Sequence, residues 1–438
     1  MSTRRIVFVA RGFTGESLRS ALAITKLENV CLLGICEQPC ASDAFYDVVC
    51  VGDTHDSAQL IEAARVLQQR HGALDRIVTT YETLLEPVAR TVEALGLEGM
   101  STATVRRALD KSLLKATFEH AGIATARSRV FTSDAEARLF AREVGYPIVL
   151  KPLSGSGALA TWSIHNEQHL LLALELTKPS PEQPLLAEEY CKGQELCFDT
   201  ITIANEPRFY SICCYQPSIL EAVEDPSIQW RCVMPRDITG ARYEQFIKQG
   251  LQAVRALSVG DAMTHMEAFL SEDGRPQFID ATLRPAGARI APMLAFAYDI
   301  DPYLVWARLM LDGCFDGPWE RKFSVGTVFL RGSGSGKIER VDGIAAVNRE
   351  LEELVIDLRS PQPGAQKADT YTGDGYVTLR HPETNAVEDA LDFIARTVRI
   401  NYSNAEPSSF RTLRDDWTKR LQYNQLYKPA WEVNSQAT

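Results

Sequence analysis

Two carboxylates, Glu267 and Asp280, carry the strongest chemical signal in this sequence. They lie in the segment His265–Thr282, whose Asp273-Gly274 dipeptide has the composition of a two-residue hairpin turn. A turn on those residues pairs Glu272 with Arg275, and counting outward sets Glu267 opposite Asp280 and His265 opposite Thr282. Side chains alternate faces along a strand, so all four point to one side. Like charges held directly opposite repel, and two carboxylates so placed need a cation or a shared proton. Oxygen-only ligands suit magnesium or manganese, and magnesium on one or two carboxylates typically carries nucleotide phosphates. A solvated hairpin whose acids never meet is the competing reading, so other segments must decide.

Phosphate-directed residues occur upstream. Gly155-Ser-Gly157-Ala-Leu-Ala160 matches a dinucleotide fingerprint, but Thr161–His165 after it reads as a strand, and that fingerprint must open a helix. A Gly/Ser-rich turn between two strands instead makes a flap whose N–H groups close over phosphates. Lys151 ends the apolar strand Tyr146–Pro152 just before this turn, where it neutralises phosphate charge or merely snorkels to solvent. Gly332–Lys337 fails as a phosphate loop, with Arg331 at the first glycine position and Ile338 at the Ser/Thr position, and reads as a flexible turn between domains.

The elements that must hold these residues fall into three groups. Over residues 1–105, strands at Ile6–Ala10, Val30–Ile35, Asp47–Val51 and Arg76–Thr80 are separated by helical stretches, including Gly15–Leu27 and Ser57–Arg70. That alternation predicts a parallel, doubly wound sheet with its ligand end at Arg11–Gly15 and Tyr81-Glu82. Residues 106–320 read as α+β, with helices at Leu109–Ala121, Ala135–Val144, Tyr243–Ser258 and Pro302–Leu311. Residues 321–400 read as a small third domain, with strands at Val325–Leu330, Leu354–Leu358 and Tyr376–Leu379 and a helix at Ala386–Arg396. Residues 401–438 form a polar, aromatic-rich tail, read as a docked helix or a partly disordered segment.

Composition narrows the function. The 438-residue chain has a formal net charge of -11, which argues against nucleic-acid binding. No stretch reaches membrane-spanning length. The ten cysteines are scattered without Cys-x-x-Cys knuckles, so a zinc site is not expected and free cytoplasmic thiols are.

Taken in order, these pieces resemble the ATP-grasp superfamily. The resemblance rests on Ala108-Leu-Asp-Lys111, Gly145–Lys151-Pro, Ser154–Gly157, Leu186–Glu195, His265-x-Glu267 and Asp280-x-Thr282-x-Arg284-Pro. Residues 1–105 resemble the family's N-terminal Rossmann-like domain, and the third domain is similar to the C-terminal cap of its L-amino-acid ligases. The resemblance implies ATP contacts from Lys111 and Lys151, a closing flap at Ser154, Gly155, Ser156 and Gly157, an adenine hinge at Glu188, Glu189 and Tyr190, and Glu195 near the ribose. It implies magnesium, or manganese, on Glu267 and Asp280 with Thr282 beside them, and Arg284 bracing a carboxylate and an acyl phosphate. The usual pattern on the second strand is Glu-x-Asn-x-Arg, so Asp280 and Thr282 depart from it.

The implied reaction is carboxylate–amine ligation through an acyl phosphate, on small-molecule substrates, with two amino acids or an amino acid and a small organic acid favoured. Arg289 is a candidate grip for an amino-acid carboxylate, alongside a plain surface arginine. Tyr215 and Trp230 are candidate pocket walls, alongside ordinary core aromatics. Activation of bicarbonate, formate or another small carboxylate, and a non-catalytic ATP-binding regulator, stay open, as does assembly into a homodimer.

Overall fold

A computed structural model of the protein describes residues 3–39, 42–155, 157–158, 160–404, 416–418 and 421–422. The architecture is multidomain α/β and α+β, with one parallel sheet and three antiparallel ones. In the parallel sheet the strand order is Asp47–Cys50, Val30–Cys36, Arg4–Val9, Arg76–Val78. Its central strands are almost wholly apolar, as burial on both faces demands. The first helix runs Gly15–Ile24, three residues short of the expected Leu27, because Thr25 at its C-cap begins a turn.

A four-stranded sheet follows, ordered Ser128–Phe131, Leu185–Glu189, Ile148–Pro152, Trp162–Ile164. It backs onto the helices Asp134–Val144 and Glu167–Thr177 through a core containing Phe131, Phe140, Trp162 and Leu170. This small sheet carries Lys151 and Glu188 on neighbouring strands.

The third sheet is long and antiparallel. Its eight strands are ordered Pro276–Thr282, Ala262–Leu270, Gln194–Ile203, Glu206–Gln216, Arg231–Met234, Ser324–Leu330, Gly375–His381 and Val355–Arg359. Helix Ala241–Leu257 covers the first strands, where Phe246 stacks on Phe278. Helix Thr384–Thr397 covers the last strands, and Gly326 gives Val387 and Leu391 the room to approach. Strands of the region read as a small third domain, 321–400, continue the sheet that bears the hairpin. Gly332–Lys337 is not simply a flexible turn, since Ser335–Asp342 is a strand paired with Arg399–Asn404.

Of the tail, Arg399–Asn404 ends in that two-stranded sheet, and Trp417 is buried in the small sheet's core, 5.9 Å from the Trp162 ring. No helix among the described residues is long and apolar enough to cross a membrane.

Candidate active site

The hairpin pairs His265 with Thr282 and Glu267 with Asp280, in the register that counting gives. The turn itself differs. Three residues, Glu272 to Gly274, lie between Ser271 and Arg275, whose backbones are bonded, and Gly274 takes a φ of 78°. The added turn residue shifts the register by one, and an irregularity at Ile279, between Asp280 and Phe278, shifts it back. The two carboxylates therefore face each other, with His265 and Thr282 on the same cavity wall.

Each carboxylate has company. Lys111 Nζ donates to Asp280 Oδ2 at 2.7 Å and to the Gly155 carbonyl at 3.1 Å. Asp110 caps the helix Lys111–His120 by accepting from the Ser112 and Leu113 amides. That cap fixes Lys111 at the helix start, and the Lys111 amide donates to the Leu153 carbonyl just before the glycine loop. Burial works to lower the Lys111 pKa, but Asp280 outweighs it and the ammonium is held above its ordinary range. Glu267 accepts from the Tyr215 hydroxyl at 3.4 Å and meets His265 Nε2 at 3.4 Å. His265 Nδ1 is 2.8 Å from the buried Asp199, its cross-strand partner.

Across the cleft, Glu188 lies between Lys151, at 2.7 Å, and Lys115, at 2.9 Å. Burial raises the Glu188 pKa, yet the two lysines prevail and leave it below the ordinary carboxylate range. Lys151 goes the other way. Burial, aided by the neighbouring lysines, lowers its pKa despite Glu188. Lys111, Lys151, Gly155, Gly157, Glu188, Glu189, Tyr190 and Glu195 line one cleft between the small and long sheets, and Glu267 and Asp280 close its end. Gly157, Ala158 and Ala160 all take positive φ, a compact loop path that side chains other than glycine rarely adopt.

Beyond the carboxylates the cleft opens into a cavity of about 690 Å³, sharing the Gly157, Ala158, Glu267 and Asp280 wall. Arg284 lies on its wall and donates to Glu82 at 2.7 Å, so the parallel-sheet domain contributes a side chain to this cavity. The Thr282 hydroxyl is buried with no hydrogen-bond partner. An orphaned oxygen beside two facing carboxylates is a donor set that fits a hard divalent cation.

The chain superposes on the L-amino acid ligase from Bacillus licheniformis with a TM-score of 0.76 at 18% identity, over 92% of this chain and 100% of that one. The fold is the ATP-grasp fold. The biotin carboxylase domain of Hydrogenobacter thermophilus 2-oxoglutarate carboxylase, in complex with magnesium ADP and bicarbonate, shares it at a TM-score of 0.66 and 16% identity, covering 98% of this chain and 99% of that one. Alanine–anticapsin ligase of Bacillus subtilis is 23% identical over 257 residues, 55% of this chain and 54% of that one. The chain thus spans about half the length of the curated ligases it matches. No family model matches the chain.

Within the ATP-grasp fold most of the expected site residues converge, and some do not. Ser156 lies outside the described residues. The Ser154 hydroxyl is buried without a partner near the flap. Glu188 sits at the expected hinge, but its carboxylate faces two lysines. Arg289 turns away from the cavity: its guanidinium pairs with Asp357 and stacks 3.6 Å from the Tyr376 ring centre, because the residue takes a φ of 61° ahead of helix Ile290–Tyr298. Trp230 is no pocket wall either. It is fully buried, stacks on Phe329 and donates Nε1–H to the Pro217 carbonyl. Tyr215 does line the cavity. Lys115, Asp199, Arg331 and Tyr371 escaped sequence reasoning as site residues. Lys115, one turn beyond Lys111 in the capped helix, was the one with a readable signal.

Proposed function

We propose that the protein is an ATP-dependent carboxylate–amine ligase that joins an amino acid to a second amino acid or small organic acid. The observation that carries this reading is the shared wall, where Glu267 and Asp280 separate a lysine-lined cleft from a cavity bearing Arg284. ATP lies in the cleft, its phosphates met by Lys111, Lys151 and the loop at 154–157. The carboxylate substrate lies in the cavity beside Arg284. Glu267, Asp280 and Thr282 hold magnesium, which when bound neutralises charge on the terminal phosphates.

The substrate carboxylate oxygen attacks the γ-phosphorus, the bond to the ADP oxygen breaks, and an acyl phosphate forms. The amine nitrogen then attacks the acyl carbon, releasing phosphate and a proton and leaving an amide. Lys151 and Arg284 assist by positioning and by meeting the developing negative charge. Residues 1–105 and 106–320 act as one unit around this wall, with 321–400 walling the cavity, as a monomer or a homodimer.

Phosphate release from magnesium ATP, measured with single amino acids and pairwise mixtures and with mass detection of products, tests the reading. A pair-dependent product lighter than the sum by one water supports it. ADP formation driven by bicarbonate or formate alone moves the reading to small-carboxylate activation, which the likeness to a bicarbonate-bound structure supports. Nucleotide binding without turnover leaves a regulatory protein.

A further inference from the structure

Arg331 follows directly on strand Ser324–Leu330, whose seven residues are all buried, so its backbone is firmly held. The residue lies on the cavity wall with Glu267, Arg284 and Tyr371. The residue is only 7% exposed. Gly373, at a φ of 59°, packs so closely on the Arg331 stem that a Cβ there would overlap it. The side chain is thus buried and closely held.

Its charge is not met in the usual way. Arg331 Nη1 donates to the Ile228 carbonyl at 3.0 Å, and the guanidinium forms no ion pair among the described residues. Asp374 lies nearby, but its two oxygens accept from the Ala368 amide and the Tyr402 hydroxyl. Burial presses the Arg331 pKa down to about 10 against the pull of Asp225, Tyr402 and Asp374. Arg284, by contrast, already holds Glu82. A buried cation lacking an anion on the wall of a small-molecule cavity is strongly stabilised by a ligand carboxylate, whose two oxygens match the guanidinium fork.

We propose that Arg331 receives the carboxylate of the amino acid that donates the amine, and so sets the enzyme's preference for an acid over its carboxamide at that position. This rests on the ligase reading above and adds to it the residue that recognises the donor.

The test compares each common L-amino acid with its carboxamide as amine donor, in the wild type, Arg331→Met and Arg331→Lys. The wild type is expected to prefer the acid by about 100-fold in kcat/KM, the equivalent of a charged hydrogen-bonded pair. In Arg331→Met the preference should shrink to about threefold or less, with the loss falling on the donor's KM and not on the KM for ATP. Arg331→Lys should recover part of it, and serves alone if the methionine variant does not fold. A wild type indifferent to the carboxylate, or a preference that survives in both variants, overturns the proposal. If no pair turns over, the ligase reading fails on its own. Thermal shifts given by amino acids but not by their carboxamides, present in the wild type and lost in Arg331→Met, then still decide the role of Arg331.

Discussion

Glu188 and the lysines on either side of it are nearly dry, with side-chain exposures of 4%, 3% for Lys115 and 7% for Lys151. Removing the carboxylate leaves two buried ammonium groups facing each other. Glu188→Ala should therefore lose about 3–5 kcal/mol of stability, read from urea denaturation at neutral pH. The pH dependence has a definite sign. The folded-state pKa of Glu188 is depressed, so its contribution is complete above the unfolded value of about 4.3 and drains away as pH falls through the lowered one. Glu188→Gln should flatten that part of the acid limb. Arg284→Ala is a different kind of change. It removes a charge proposed to act on the reacting carboxylate, and should cost about 10²–10³ in kcat with little change in the KM for ATP. The types of these residues were legible in the sequence, but their pairings were not. Lys111 with Asp280 joins a helix start to the long sheet, and Lys151 with Glu188 joins neighbouring strands of the small sheet; spacing along the chain encodes neither approach. Arg289 misled for a related reason: its left-handed backbone swings the guanidinium onto Asp357 and Tyr376.

At the level of elements, the hairpin was readable because Asp273-Gly274 marks its turn and alternation fixes its faces. The three-residue turn and the irregularity at Ile279 were not readable, since their shifts cancel and leave the Glu267–Asp280 pair unchanged. Gly193 has a backbone role of the same order. It takes a φ of 123°, and a Cβ there would run into the backbone at Leu270 and Ser271. Gly193→Ala should destabilise the protein by about 2 kcal/mol or more, as a drop in melting temperature. Because Gly193 leads into strand Gln194–Ile203, which carries Glu195, the same variant should also raise the KM for ATP.

Across the whole molecule, the parallel sheet announced itself through buried apolar strands alternating with helices. The continuity of the long sheet past residue 320 did not. Edge-to-edge pairing of Arg231–Met234 with Ser324–Leu330 is a contact between distant segments, and neither strand names its neighbour. The tail was the least legible part, yet Trp417 reaches back some 250 residues to join the small sheet's core, at 1% exposure. Trp417→Ala should cost about 3–5 kcal/mol locally, and hydrogen exchange should speed up in residues 128–189 more than in the parallel sheet.

The Lys111–Asp280 contact sets up a predicted thermodynamic linkage. On the proposed function, a divalent cation would compete with the lysine for this carboxylate, and the displaced lysine would be left to the nearest incoming phosphate. Cation and nucleotide binding would then reinforce each other by one common factor, whichever arrives first. Calorimetric titration of ADP with and without magnesium, and of magnesium with and without ADP, measures that factor from both sides. Lys111→Met, which ends the competition, should bring it closer to one.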